Sequence, residues 1–308
     1  MTNVGPPVPA PPADSRFDTA KARLTRRGIP APAITDTRLR RILGWETLIV
    51  LAVFPLPWVL TALVELATHI SSGVGVIPEP MLIPNETGLS VLFEVALELS
   101  AGAGAAVVLY LLARSGEGLS AIGLGGRRVR MDIALVMVVW LFAQIIPQAV
   151  GAGLVRSWGL TTFHTTSPGN LPFVIVGLAA AVAAGVVEEI VVLGYLVRRL
   201  EQQGWSTATV VIVAVAVRVS YHLYYGAGVL PIILWATASV LLYLKIRRLL
   251  PFIICHVVWD IGVAVGPHSH GVATSFLGLF FLSSIVCFVR WRGWHPEPVS
   301  RSHVQVGW

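Results

Sequence analysis

The chain has 308 residues, 55% of them hydrophobic and only 12% charged, with a mean hydropathy of +0.77. Soluble domains carry roughly 25% charged residues. Half that share, with apolar runs near ~20 residues recurring along the chain, excludes an ordinary soluble domain and marks a multi-span membrane protein. The net charge of +6 is explained by basic residues at the ends of apolar runs, so no nucleic-acid partner is expected.

Residues 1–41 form the first segment, rich in Pro and Ala and then in Arg (PPVPAPPADSRFDTAKARLTRRG). It has no apolar h-region, so it reads as a disordered basic cytoplasmic tail rather than a signal peptide. A membrane domain over residues 42–291 follows, with apolar spans at about 42–70, 89–113, 131–154, 171–197, 206–225, 229–244, 251–266 and 274–290. Residues 292–308 form a second cytoplasmic tail. The apolar runs are continuous rather than alternating, which predicts helices and not a barrel. The expected fold is an all-α polytopic bundle of about eight transmembrane helices, with seven and one re-entrant segment as the alternative. Both cysteines, Cys255 and Cys287, lie inside apolar runs, so no disulfide framework is expected.

Basic residues set the orientation. They crowd the N-terminal tail, the third segment (Arg114, Arg127, Arg128, Arg130), the fifth (Arg198, Arg199), the seventh (Lys245, Arg247, Arg248) and the C-terminal tail. The intervening connections carry none, apart from Arg156. This alternation predicts cytoplasmic termini and an even number of spans, in an integral protein of the cell membrane.

Ionisable residues within the spans cost at least ~2.5 kcal/mol each and are functional candidates by default. Glu188 and Glu189 interrupt the fourth span, Arg218 and His222 the fifth (RVSYHLYYG), and His256 and Asp260 the seventh (CHVVWDIG). The pairs Arg218/His222 and His256/Asp260 have i, i+4 spacing and are expected to share helix faces. Adjacent Glu188 and Glu189 point about 100° apart and must play different parts. At ~1.5 Å per residue, Glu188 lies roughly 15 Å from the cytoplasmic end, Arg218 about 18 Å, His222 about 24 Å and His256 about 10 Å, so simple depths do not bring them to one level. A single buried His or Glu is as readily a structural residue; six on three spans favour a site. Glu94 and Glu98 in the second span lie nearer the outer face and keep a structural reading.

The order EE, GYL and a basic helix end, then a His-bearing span, then HxxxD resembles the CPBP family of CAAX-protease and bacteriocin-processing type intramembrane proteases, also called Abi. The family pattern is EExxxR, FxxxH and HxxxN/D on separate helices, matched here by Glu188, Glu189, His222, His256 and Asp260 over a core of about 114–266. Two positions depart from it: Leu193 stands at the Arg of the first motif and Arg218 at the Phe of the second. The cation has moved from span four to span five.

The resemblance implies an intramembrane endopeptidase acting on a membrane-associated peptide or protein within the lipid bilayer. It implies Glu188 as the general base helped by His222, Glu189 orienting a neighbour, and His256 and Asp260 completing the site. Arg218 would pair with a glutamate or stabilise developing negative charge. Two readings of the water stay open: a metal, with zinc suited to Glu188, His222 and His256, or a glutamate acting alone. No HExxH, GxSG or GxGD motif occurs. A non-catalytic scaffold or immunity protein is the second reading. A proton-coupled transporter is the third, although no inverted repeat supports it.

Overall fold

The computed structural model describes residues 31–73, 76–78, 87–124, 129–158, 161–162, 164–166 and 171–265, together with 275, 277–283, 285–286 and 289. Most of the N-terminal tail, all of the C-terminal tail and the 267–273 connection lie outside the described residues. The outer surface carries exposed Leu60, Leu99, Phe142, Ile175, Ile212 and Leu279. The chain is an all-α membrane helix bundle, with one small strand pairing besides.

Helix α1 (Thr37–Val53) starts at Asp36, whose carboxylate accepts from the amides of Arg38 and Leu39. It stops at Phe54–Pro55, and α2 (Leu56–Ser72) leaves at 45°. The expected first span is therefore broken, because Pro55 and Pro57 have no amide to continue the ladder. Strand β1 (Val76–Pro78) and α3 (Thr87–Arg114) follow, then a 3₁₀ turn at Leu119–Ile122, α4 (Val129–Ser157) and β2 (His164–Thr166). Helix α5 (Leu171–Glu188) passes through a π segment (Glu189–Leu196) into α6 (Val197–Gln202). Last come α7 (Thr207–Ser220), a 3₁₀ turn at Leu223–Tyr225, α8 (Val229–Ile246) and α9 (Leu250–Val265).

Among the described residues, three helical stretches are long and apolar enough to cross a membrane, within 95–114, 174–202 and 229–246, and the bent α1–α2 pair makes a fourth if it is taken as one span. Helices α7 and α9 are apolar but short. The 14 residues of α7 extend only ~21 Å, against a hydrocarbon core of ~30 Å. The eighth expected span is described only at scattered helical positions between 275 and 289.

The connections separate into two groups. On one side, Arg198 binds Glu117 at 2.6 Å, and fully buried Arg199 binds Glu117, Gln202 and Ser115. Arg247 binds Glu201 at 2.7 Å, and the Ile34 amide donates to the Gln202 carbonyl. Burial pushes the Glu117 carboxyl up, but its bond to Arg198 and the charges of Arg198 and Arg199 outweigh this and hold it below its ordinary value. Gly123 is required there: it has φ +81°, and a Cβ would stand 2.6 Å from the Arg247 carbonyl oxygen. On the other side, β1 pairs in parallel with β2, Val76 opposite His164, and the Ala227 amide donates to Thr161.

Between these faces the core includes Trp140, Tyr195, Leu193, Trp235 and Phe252. Helices α5 and α9 pack closely because Gly185 offers no side chain; a Cβ there would lie 2.6 Å from the Val257 amide nitrogen. Small residues allow such backbone approach in membrane bundles. This packing brings the carboxylates at the end of α5 to the face of α9.

Candidate active site

Glu188 is the last residue of α5 and Glu189 the first of the π segment. A π turn bonds residue i to i+5, and such turns occur frequently at functional sites. All eight residues of this segment are buried. The two adjacent carboxylates take different partners.

Glu189 has no exposed surface, and its Oε1 accepts from Arg218 Nη2 at 2.9 Å and from His256 Nδ1 at 2.8 Å. His256 Nε2 lies 3.3 Å from Asp260 Oδ2, one helical turn further along α9. Both ring nitrogens thus face carboxylate oxygens, an arrangement that an imidazolium satisfies with two donors. Trp235 of α8 forms the floor: the Arg218 guanidinium sits 4.8 Å over its ring, and His256 meets it edge-on at 5.1 Å.

Glu188 Oε2 accepts from the Tyr221 hydroxyl at 2.8 Å and lies 4.0 Å from Arg218 Nε. Arg218 therefore addresses both carboxylates, Nη2 on Glu189 and Nε toward Glu188. Two buried anions beside one buried guanidinium offset a desolvation cost that neither charge type could bear alone.

The structure joins Glu188, Glu189, Arg218, His256 and Asp260 into one contact network. The simple depth reckoning missed this for two reasons. The fourth span runs on to Gln202, which sets Glu189 about 20 Å from that end, level with Arg218. Helix α9 also begins inside the bundle, with Leu249 fully buried and 3.1 Å from where a Cβ on Gly194 would stand. His222 needs a correction. It does not share a helix face with Arg218, because α7 ends at Ser220 and His222 begins the following 3₁₀ turn. The unwinding frees the Arg218 carbonyl, and His222 Nδ1 bonds it at 2.8 Å, a side-chain substitute for a lost helical partner. The Tyr221 and His222 rings lie 4.8 Å apart, so His222 stays beside the Glu188 side of the network.

The proposed metal donors, Glu188, His222 and His256, do not fit a metal as a set. Both His256 nitrogens already face carboxylates. Among the described residues, no three His, Cys, Asp or Glu form a group able to hold a metal ion.

Tyr221 and Trp235 were missed from sequence. Tyr221 stood inside the quoted RVSYHLYYG, where its proximity to His222 was the available signal. Trp235 is one apolar residue in an apolar span and carries no signal of its own. Leu193 is fully buried in the core, and the cation of the network comes from Arg218. Of the second-span pair, the side chain of Glu94 lies outside the described residues and Glu98 is partly buried on α3.

Residues 170–262 match the family model described as type II CAAX prenyl endopeptidase Rce1-like. This match supports the resemblance to the CPBP/CAAX protease family. The match covers less than half of the chain, yet it contains every residue of the network. The matched segment begins after α4. No curated protein and no solved structure matches the chain. The family match over 170–262 and the apolar helices indicate an integral membrane protein.

Proposed function

We propose that the chain is an intramembrane endopeptidase that hydrolyses a peptide bond of a membrane-associated protein or peptide, with Glu188 activating the water. The observation that carries this reading is the division of labour between the adjacent glutamates. Glu189 is committed to Arg218 and His256. The hydrogen bond and the ion pair of Glu188 both fall on Oε2, which leaves Oε1 to take a proton from water.

In this reading Glu188 removes a proton from water as the oxygen attacks the scissile carbonyl carbon, and the carbonyl becomes an oxyanion. The proton then passes to the leaving nitrogen as the C–N bond breaks. Because His222 Nδ1 donates to the Arg218 carbonyl, Nε2 is the acceptor side of the ring and helps hold the water. Arg218 supplies fixed positive charge in a low-dielectric interior, where it stabilises developing negative charge more than it would in water. Asp260 and Glu189 hold His256 from both sides. No step passes through a metal.

The proposal extends to eight crossings with both termini cytoplasmic, in the cell membrane, with membrane-associated polypeptides as substrates. The test compares neo-terminal peptides in membranes of cells carrying wild-type protein or Glu188→Gln, at equal protein level. Cleavage products should appear only with wild type. Identical peptide sets would overturn the protease reading, and cleavage abolished by a chelator and restored by zinc would overturn the metal-free one.

A further inference from the structure

The hydroxyl of Tyr221 donates to Glu188 Oε2 at 2.8 Å. The phenol ring is buried and meets Phe54 edge to face, with centroids 6.2 Å apart and planes at 61°. Phe54 is the residue at which the first span breaks, held where α1 stops and α2 starts. Helix α3 fixes that break in two ways. Gly104 has no side chain, and a Cβ there would stand 2.7 Å from Phe54 Cβ. Ser100 Oγ donates to the Val53 carbonyl at 3.4 Å. A line of contacts therefore runs from α3 through the break to the carboxylate, starting outside the Rce1-like segment.

We propose that Tyr221 is a positioning residue for Glu188 and that Phe54, at the break of the first span, braces it. The hydroxyl occupies Oε2 and turns Oε1 to the water, while the edge-to-face contact fixes the phenol. This deepens the reading of Glu188 as the base and rests on it. The chemistry of the contact is simple: a hydrogen bond to an ionised oxygen is stronger than a neutral one, and an aromatic pair restrains its rings beyond area burial.

The test uses the full chain in detergent with two readouts. One is turnover of an internally quenched peptide ending in a prenylated CAAX segment. The other is labelling of Glu188 by dicyclohexylcarbodiimide, located by mass spectrometry. Tyr221→Phe, which keeps the ring, should lower kcat by roughly tenfold to a hundredfold at unchanged KM and raise Glu188 labelling several-fold. Phe54→Leu should lower kcat about threefold to tenfold. In the Tyr221→Phe background it should add less than twofold, because the brace then holds nothing that acts.

Wild-type kcat and labelling in Tyr221→Phe would overturn the proposal, as would a Phe54→Leu effect that simply adds. If wild type does not cleave the probe peptide, labelling decides: a rise supports the proposal and no change overturns it. If Tyr221→Phe does not accumulate in membranes, Phe54→Leu decides by the same two readouts. Turnover in Glu188→Gln equal to wild type would instead remove the base reading, a separate outcome.

Discussion

Arg218 is the residue on which the two carboxylates depend. It is fully buried, pairs with Glu189 and stands over Trp235. Removing one partner of a buried pair leaves an uncompensated charge, at a cost of about 3–5 kcal/mol. Arg218→Leu should therefore lose most of its membrane yield and melt well below wild type. Arg218→Lys should lose less stability but still impair activity, because an ammonium does not reproduce a fork spanning two acceptors. Leu193→Arg with Arg218→Phe restores the family's arrangement and should recover part of the loss. Thermal melting in detergent of all four proteins is the measurement. An Arg218→Leu protein as stable as wild type would show that the guanidinium merely lines a wet cavity.

At the scale of elements, the contact between α5 and α9 determines whether Glu189 reaches His256. Gly185 makes that approach possible, and the obstacle an added Cβ would meet is backbone: the Val257 amide nitrogen at 2.6 Å and its Cα at 2.9 Å. Gly177 lies on the same helix with nothing within 4 Å of an added Cβ. Gly185→Ala should destabilise by about 1–3 kcal/mol through overpacking and lower activity by parting Glu189 from His256. Gly177→Ala should be neutral or slightly stabilising, since Ala favours the helix. Equal melting temperatures for the two variants would show that α9 shifts without cost.

Across the whole molecule, connections bearing Arg198, Arg199 and Arg247 bond one another at one end, while β1, β2 and Thr161 meet at the other. Basic connections favour the cytoplasmic side, and the proposed orientation follows from that rule. In a chain freed of Cys255 and Cys287, Leu119→Cys should react with a membrane-impermeant thiol reagent only from the cytoplasmic side. Thr161→Cys should react only from outside. Both positions are exposed. Labelling of both from the same side would overturn the topology.

The membrane class, the helical fold and the six ionisable residues were legible in the sequence, because each follows from local composition: apolar length and charges where lipid penalises them. The pairing of roles was partly legible too, since adjacent Glu188 and Glu189 must diverge on any helix. What needed the folded chain was contact between segments. Spacing cannot reveal that α7 unwinds before His222, or that Glu189 rather than Glu188 takes both Arg218 and His256; the break at Pro55, by contrast, was a local signal that the reading of one continuous first span passed over. Tyr221 and Trp235 acquire their parts only when α5, α7, α8 and α9 meet. Helical period sets which face a residue occupies; which residue it meets depends on where each helix ends and how closely glycines such as Gly185 let its neighbour approach.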